Sequence, residues 1–134
     1  MFKTRSMLAA LDSGEECESL RAIVSAAGWA FHVAPAFPYG DSISSLASCG
    51  VVVCGARFNN GRCWKDVLRE TRRLTTPPNV IVADRLADEA LWAEVLNLGC
   101  YDLLMTPFVA EEVLRLAEMA WDSWEREMVR AAAA

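Results

Sequence analysis

The sequence is poor in the residues that build metal and hydrolytic sites. It has one histidine, His32, so neither a zinc-finger ligand set nor a histidine–nucleophile pairing is on offer. Its five cysteines (Cys17, Cys49, Cys54, Cys63 and Cys100) are odd in number and contain no Cys-x-x-Cys pair. They read as reduced, mostly buried small side chains. Positive charge is scarce as well. The 13 Lys and Arg against 18 Asp and Glu leave a net charge of −5, which argues against nucleic-acid binding. Arg69, Arg72 and Arg73 do cluster, but Asp66 and Glu70 lie among them, as on a solvated helix face. No apolar run approaches the roughly 18 residues that cross a bilayer. Met1 to Arg5 lacks the apolar core and cleavage site of a signal peptide, so a cytoplasmic protein without membrane contact is expected. No glycine-rich phosphate loop occurs, since Asn59-Asn60-Gly61 is a plain turn signal without the surrounding glycines and lysine. Catalysis is not expected.

What the chain does have is apolar material, 54% of 134 residues, enough for one buried core. Residues 5–11 read as a first strand. Ser13 and Glu16 have capping-box spacing and open a helix whose apolar stripe is Leu20, Ile23, Val24 and Ala27, closed by Gly28. Trp29 to Ala34 is a second strand, Pro35 to Gly40 a loop, and residues 41–48 a short helix. Val51 to Cys54 is apolar on both faces, as the central strand of a covered parallel sheet should be, and Gly55 ends it. A loop over Arg57 to Gly61 precedes a helix over 62–74, stopped by Thr75 to Pro78. Val80 to Ala83 is the fourth strand, and residues 87–98 form a fourth helix with Leu91, Val95 and Leu98 inward. Gly99 stops that helix, Tyr101 to Met105 is the fifth strand, and Thr106-Pro107 supplies an N-cap and first helical position. The last helix then runs from 107 to about 130, with Val113, Leu116, Ala117, Ala120, Trp124 and Met128 inward.

Five strands alternating with helices predict an α/β, doubly wound (βα)5 sandwich with flavodoxin-like parallel order 2-1-3-4-5. In that architecture a site lies at the carboxyl ends of the strands, beside the switch point between the first and third. The residues to watch there are Leu11, Asp12, Gly55, Asp84 and Thr106.

The stretch Gly99 to Phe108, Gly-Cys-Tyr-Asp-Leu-Leu-Met-Thr-Pro-Phe, resembles the end of the receiver domain of two-component response regulators. The resemblance extends by spacing over residues 4–123. It implies a receiver-like domain acting in phosphorelay signal transduction. The last helix is long for such a domain and the chain ends soon after it, so one stand-alone domain without an output domain is expected. The resemblance places the family's acidic pair at Leu11 and Asp12, its phosphoacceptor aspartate at Gly55, its Ser/Thr switch at Asp84 and its lysine at Thr106, before Pro107 and Phe108. Only Asp12 is retained in kind. In the family a carboxylate nucleophile becomes an acyl phosphate with magnesium and lysine offsetting charge. Gly55 has no side chain to phosphorylate, Thr106 brings no cation, and Asp84 would repel a phosphoryl group. A pseudo-receiver that does not accept phosphate is the expectation. Mg²⁺ or another metal has only Asp12 and Asp84 as candidate ligands, so no cofactor is expected. Asp12 also reads simply as a helix-start residue, and Asp84 as a strand-end residue paired with Arg57 or Arg85.

With the chemistry gone, function falls to a surface. The resemblance implies a partner or homodimer face made by the fourth helix, fifth strand and fifth helix, where Trp92, Leu96, Trp121 and Trp124 lie. Tryptophan suits a binding hot spot, but the same residues also suit sealing the domain's own core. A different reading keeps the flavodoxin-like sheet and uses the crevice near Asp12, Gly55 and Cys54 for a small molecule or a redox-responsive thiol. For Cys54 the plain alternative is a buried strand cysteine.

Overall fold

The computed structural model describes residues 4–33, 49–58, 62–86 and 88–133. Its centre is a run of apolar strands that cannot face water on either side. Strand β1 (Ser6–Ala10) and strand β3 (Val51–Gly55) are buried at every position. Side chains alternate between the two faces of a strand, so a strand buried throughout must be covered twice. Helix α1 (Gly14–Ala26) follows β1, and strand β2 (Ala30–Val33) pairs with β1 in parallel, Ser6 opposite Ala30. Strand β3 lies on the other side of β1, with Met7 opposite Val51. Strand β6 (Asn79–Asp84) pairs with β3, and β7 (Asp102–Met105) with β6. The five-stranded order β2-β1-β3-β6-β7 is the expected 2-1-3-4-5 arrangement, with the short β4 (Arg57–Phe58) and β5 (Arg62–Cys63) set apart as an antiparallel pair.

Strand alternation sorts the core into two layers. Met7, Ala9, Val51, Val53, Ile81 and Leu104 pack with α1 and with helix α4 (Ala110–Ala133). Leu8, Ala10, Val52, Cys54, Val80 and Val82 pack on the other side with helix α2 (Trp64–Thr71) and helix α3 (Glu89–Asn97), through Val67, Leu68 and Val95. The three-layer sandwich is thus written in the period-two pattern of the strands.

Helix ends follow local chemistry. Ser13 Oγ accepts the Glu16 N–H at 3.2 Å, and Asp88 Oδ1 caps α3 by accepting the Leu91 N–H at 2.8 Å. Gly28 and Gly99 follow the ends of α1 and α3 at φ of +88° and +100°, the left-handed region that other residues resist. Arg72 donates to the Leu98 carbonyl, a cation at the negative end of α3. Helix α4 is anchored near its middle: the Asn79 side-chain amide donates to the Ala120 carbonyl at 2.7 Å, and the Trp124 indole N–H donates to the Thr76 carbonyl at 3.3 Å.

Several expectations are corrected. The last helix begins at Ala110 rather than Pro107. Thr106 continues the sheet instead of capping, its N–H donating to the Asp84 carbonyl at 3.2 Å, and the Thr106–Pro107 bond is cis. The helix expected over 62–74 is shorter, because residues 62–63 pair back onto 57–58 and the Asp66 carboxylate accepts the Cys63 N–H at 3.0 Å, starting α2 at Trp64. Leu98 is exposed at the α3 end, where the chain turns away from the core. Trp121 is no surface residue: it is 2% exposed, edge-on to Trp29 at 5.9 Å and tilted against Trp124 at 4.8 Å. These indoles crowd Gly50, where an added Cβ would sit 2.6 Å from both Trp121 and Trp124. The helix expected over 41–48, the loop over 35–40 and the turn Asn59-Asn60-Gly61 lie outside the described residues.

Candidate functional site

The carboxyl ends of β1, β3, β6 and β7 converge as the topology requires. They bring Asp12, Gly55, Asp84 and Thr106 around one cleft of about 340 Å³, joined by Glu16, Arg57 and Arg85. A second cleft of about 180 Å³ shares Glu16, Arg85 and Thr106 and is closed by Pro107 and Phe108. Leu11 does not join them, since it packs against the core layer beneath α1 and α4.

Gly55 is the last residue of β3, paired with Ala83, and it is buried. A Cβ built there would lie 2.9 Å from the Arg57 carbonyl oxygen, closer than real Cβ atoms come to backbone. The turn from β3 into β4 fills the space a side chain would need. Cys54, one residue earlier, points into the opposite core layer and has no exposed surface. Burial holds its thiol well above the ordinary range, and neighbouring Cys100 and Cys63 push the same way. Burial likewise raises Cys100, to about 12, with Arg72 opposing. A reactive thiolate needs the reverse environment, a cation and access to solvent.

The Asp84 carboxylate accepts the Leu86 N–H at 3.1 Å, closing the turn after β6, and no ion pair joins it to Arg57 or Arg85 among the described residues. Thr106 is 4% exposed, and its hydroxyl is buried without a hydrogen-bond partner. Among the described residues no three His, Cys, Asp or Glu side chains are grouped to hold a metal ion.

A second feature lies at the face of α3, β7 and α4. Trp92 is 50% and Met105 56% exposed, with Leu96 also at the surface. Trp92, Leu103 and Met105 line a groove of about 240 Å³ whose edges carry Asp88, Glu89 and Glu112. Sequence reasoning placed Trp92 and Leu96 off the core stripe but passed over Met105. Its signal was strand alternation, because Leu104 inward forces Met105 outward. Glu16 was read as a capping residue alone, although the first turn of α1 overlooks the strand ends.

No helix among the described residues is long and apolar enough to cross a membrane. A scan of protein-family models finds no match, and neither does a search of curated proteins. Solved structures do match. The receiver domain of Francisella response regulator 1452 superposes with a TM-score of 0.73 at 18% identity, covering 90% of this chain and 98% of that one. The beryllofluoride-activated NtrC4 receiver domain dimer gives 0.74 at 18% identity, covering 89% and 98%. A two-component response regulator from Clostridium difficile gives 0.69 at 17% identity, covering 87% and 95%. Strand order, helix placement and these superpositions agree: the chain has the receiver-domain fold of response regulators.

Proposed function

We propose that this chain is a signalling module of the two-component type that works without accepting a phosphoryl group and acts by protein contact. The observation that carries this reading is at Gly55. The acceptor carboxylate is absent, and the Arg57 carbonyl stands 2.9 Å from where its Cβ would begin. An aspartyl nucleophile needs a carboxylate, a cation to offset phosphoryl charge and usually magnesium. Thr106 supplies no charge in the lysine position, and among the described residues no third His, Cys, Asp or Glu groups with Asp12 and Asp84 to hold a metal ion. Burial of Cys54 weighs against the redox-responsive reading.

Titration with beryllofluoride and magnesium, followed in ¹H–¹⁵N spectra, tests this. No saturable shift is expected at Gly55, Asp84 or Thr106. Saturable shifts at those amides overturn the reading.

Contact is assigned to the face of α3, β7 and α4. Its groove joins an apolar centre at Trp92 and Met105 to an acidic rim at Asp88, Glu89 and Glu112. A two-fold homodimer through this groove would set the same patch against itself and bring like carboxylates together. The partner that fits is a segment with apolar anchors and flanking Lys or Arg. Sedimentation of the free chain should show a monomer, and a salt-sensitive dimer lost in Trp92→Ala would replace the hetero-partner with a second copy.

A further inference from the structure

We propose that the free edge of β7 takes up an extended segment of a partner protein, which joins the sheet as a further strand. This rests on the α3–β7–α4 contact face proposed above and names the form of the segment it accepts. Strand order leaves β7 at the end of the sheet, paired with β6 alone. Register then decides which main-chain groups face outward. Asp84 lies opposite Met105, and its carbonyl accepts the Thr106 N–H. Successive residues of a strand turn their N–H and C=O groups to opposite neighbours. Asp102, Leu104 and Thr106 therefore turn to β6, and Leu103 and Met105 turn away from it. The Leu103 N–H is accordingly taken by the Asp102 carboxylate, at 2.8 Å, and not by a strand. A charged side chain folded onto an edge keeps a sheet from pairing indiscriminately.

The groove beside this edge defines the segment. Leu104 belongs to the core layer under α4, whereas Leu103 packs on the layer under α3, and Met105 shares its side of the strand. Trp92 stands on that side too, and with Met105 it forms the apolar part of the groove. An added strand lies about 4.8 Å from β7, so every second side chain of it falls beside Trp92 and Met105. The side chains between them turn toward α4, where Glu112 lines the groove, and Asp88 and Glu89 mark the start of α3. Alternation of apolar residues with Lys or Arg satisfies both sides, and a basic side chain also receives the Asp102 carboxylate that the incoming strand displaces. A docked helix would leave the outward main-chain groups of Leu103 and Met105 unmatched. A second copy of β7, Asp-Leu-Leu-Met, carries no basic residue and does not supply the pattern.

The test titrates the full chain with two synthetic peptides of the same Leu and Lys content, followed in ¹H–¹⁵N spectra. One peptide alternates strictly; the other sets its Leu residues at helical spacing. The alternating peptide should give saturable shifts at Leu103 and Met105 and bind about tenfold tighter than its isomer. At saturation it should slow exchange of the Met105 amide about tenfold or more. N-methylation of its alternate amides, in one of the two phases, should weaken binding about tenfold, as should Trp92→Ala in the protein. Absence of saturable shifts, equal or tighter binding of the helical isomer, unchanged Met105 exchange, or indifference to N-methylation in both phases each overturns the proposal. Tighter binding of the helical isomer at Trp92 would do so while leaving the contact face standing. Beryllofluoride shifts would overturn the phosphate-independent reading and leave strand addition untouched.

Discussion

At the scale of single residues, two strand-end positions make opposite demands on their neighbours. Gly55 needs nothing beyond its backbone, and the Arg57 carbonyl takes advantage of that. Gly55→Ala should cost about 1–3 kcal/mol, the usual range for forcing an extra group into packed surroundings. Urea denaturation checks it, and an unchanged midpoint would show that β4 yields freely. Cys54 makes a different prediction. Its folded thiol is held well above the ordinary value of 9.0 by burial, so folding favours the protonated form. The associated stability is complete below the unfolded thiol value and drains away as pH rises past it toward the folded one. Unfolding free energy should therefore fall as pH rises past 9.0, and Cys54→Ala should flatten part of that fall (about 1.4 kcal/mol of slope per pH unit for each proton released). Gly55 at a strand end and Cys54 inside a strand were both legible in the sequence, because Val51 to Cys54 is an unbroken apolar run. The Arg57 approach was not, because a carbonyl's position depends on the hairpin turn, to which no side-chain pattern points.

At the scale of elements, the clearest contrast is between tryptophans. Trp124 seals α4 against the sheet and hydrogen-bonds the Thr76 carbonyl, whereas Trp92 stands half exposed on α3. Trp124→Ala should cost about 3–5 kcal/mol, as expected for a large buried aromatic. Trp92→Ala should stay within about 0.5 kcal/mol of the parent, the range for surface positions. Thermal melts of the two variants side by side decide this, and equal losses would contradict the burial assignment. Helical periodicity identified Trp124 correctly because its spacing from Val113, Leu116, Ala117 and Ala120 keeps one face. It gave no guidance for Trp121, which lies beside that stripe and is covered by Trp29 from a distant part of the chain. Threonine before proline looked like a helix start, yet the sheet claimed Thr106 through its N–H and α4 began a turn later. Local propensity lost to a tertiary hydrogen bond there.

At the scale of the whole molecule, the order of strands was legible because strands buried at every position leave a covered parallel sheet as the only home for them. The charge balance was legible too, but its distribution was not. The acidic rim around Trp92 gathers Asp88 and Glu89 from one helix and Glu112 from another. With a net charge of −5, association with a basic partner should be fast at low salt and fall steeply as salt rises. Asp88→Asn combined with Glu112→Gln should weaken such a complex chiefly through its on-rate, measured by stopped-flow fluorescence of Trp92. An unchanged salt dependence in that double variant would place the contact elsewhere.

The short gap between a Cβ placed at Gly55 and the Arg57 oxygen also bears on engineering. Any side chain grafted at this strand end, an aspartate included, meets main chain first, so its introduction calls for a redrawn hairpin path and not for a change of residue alone.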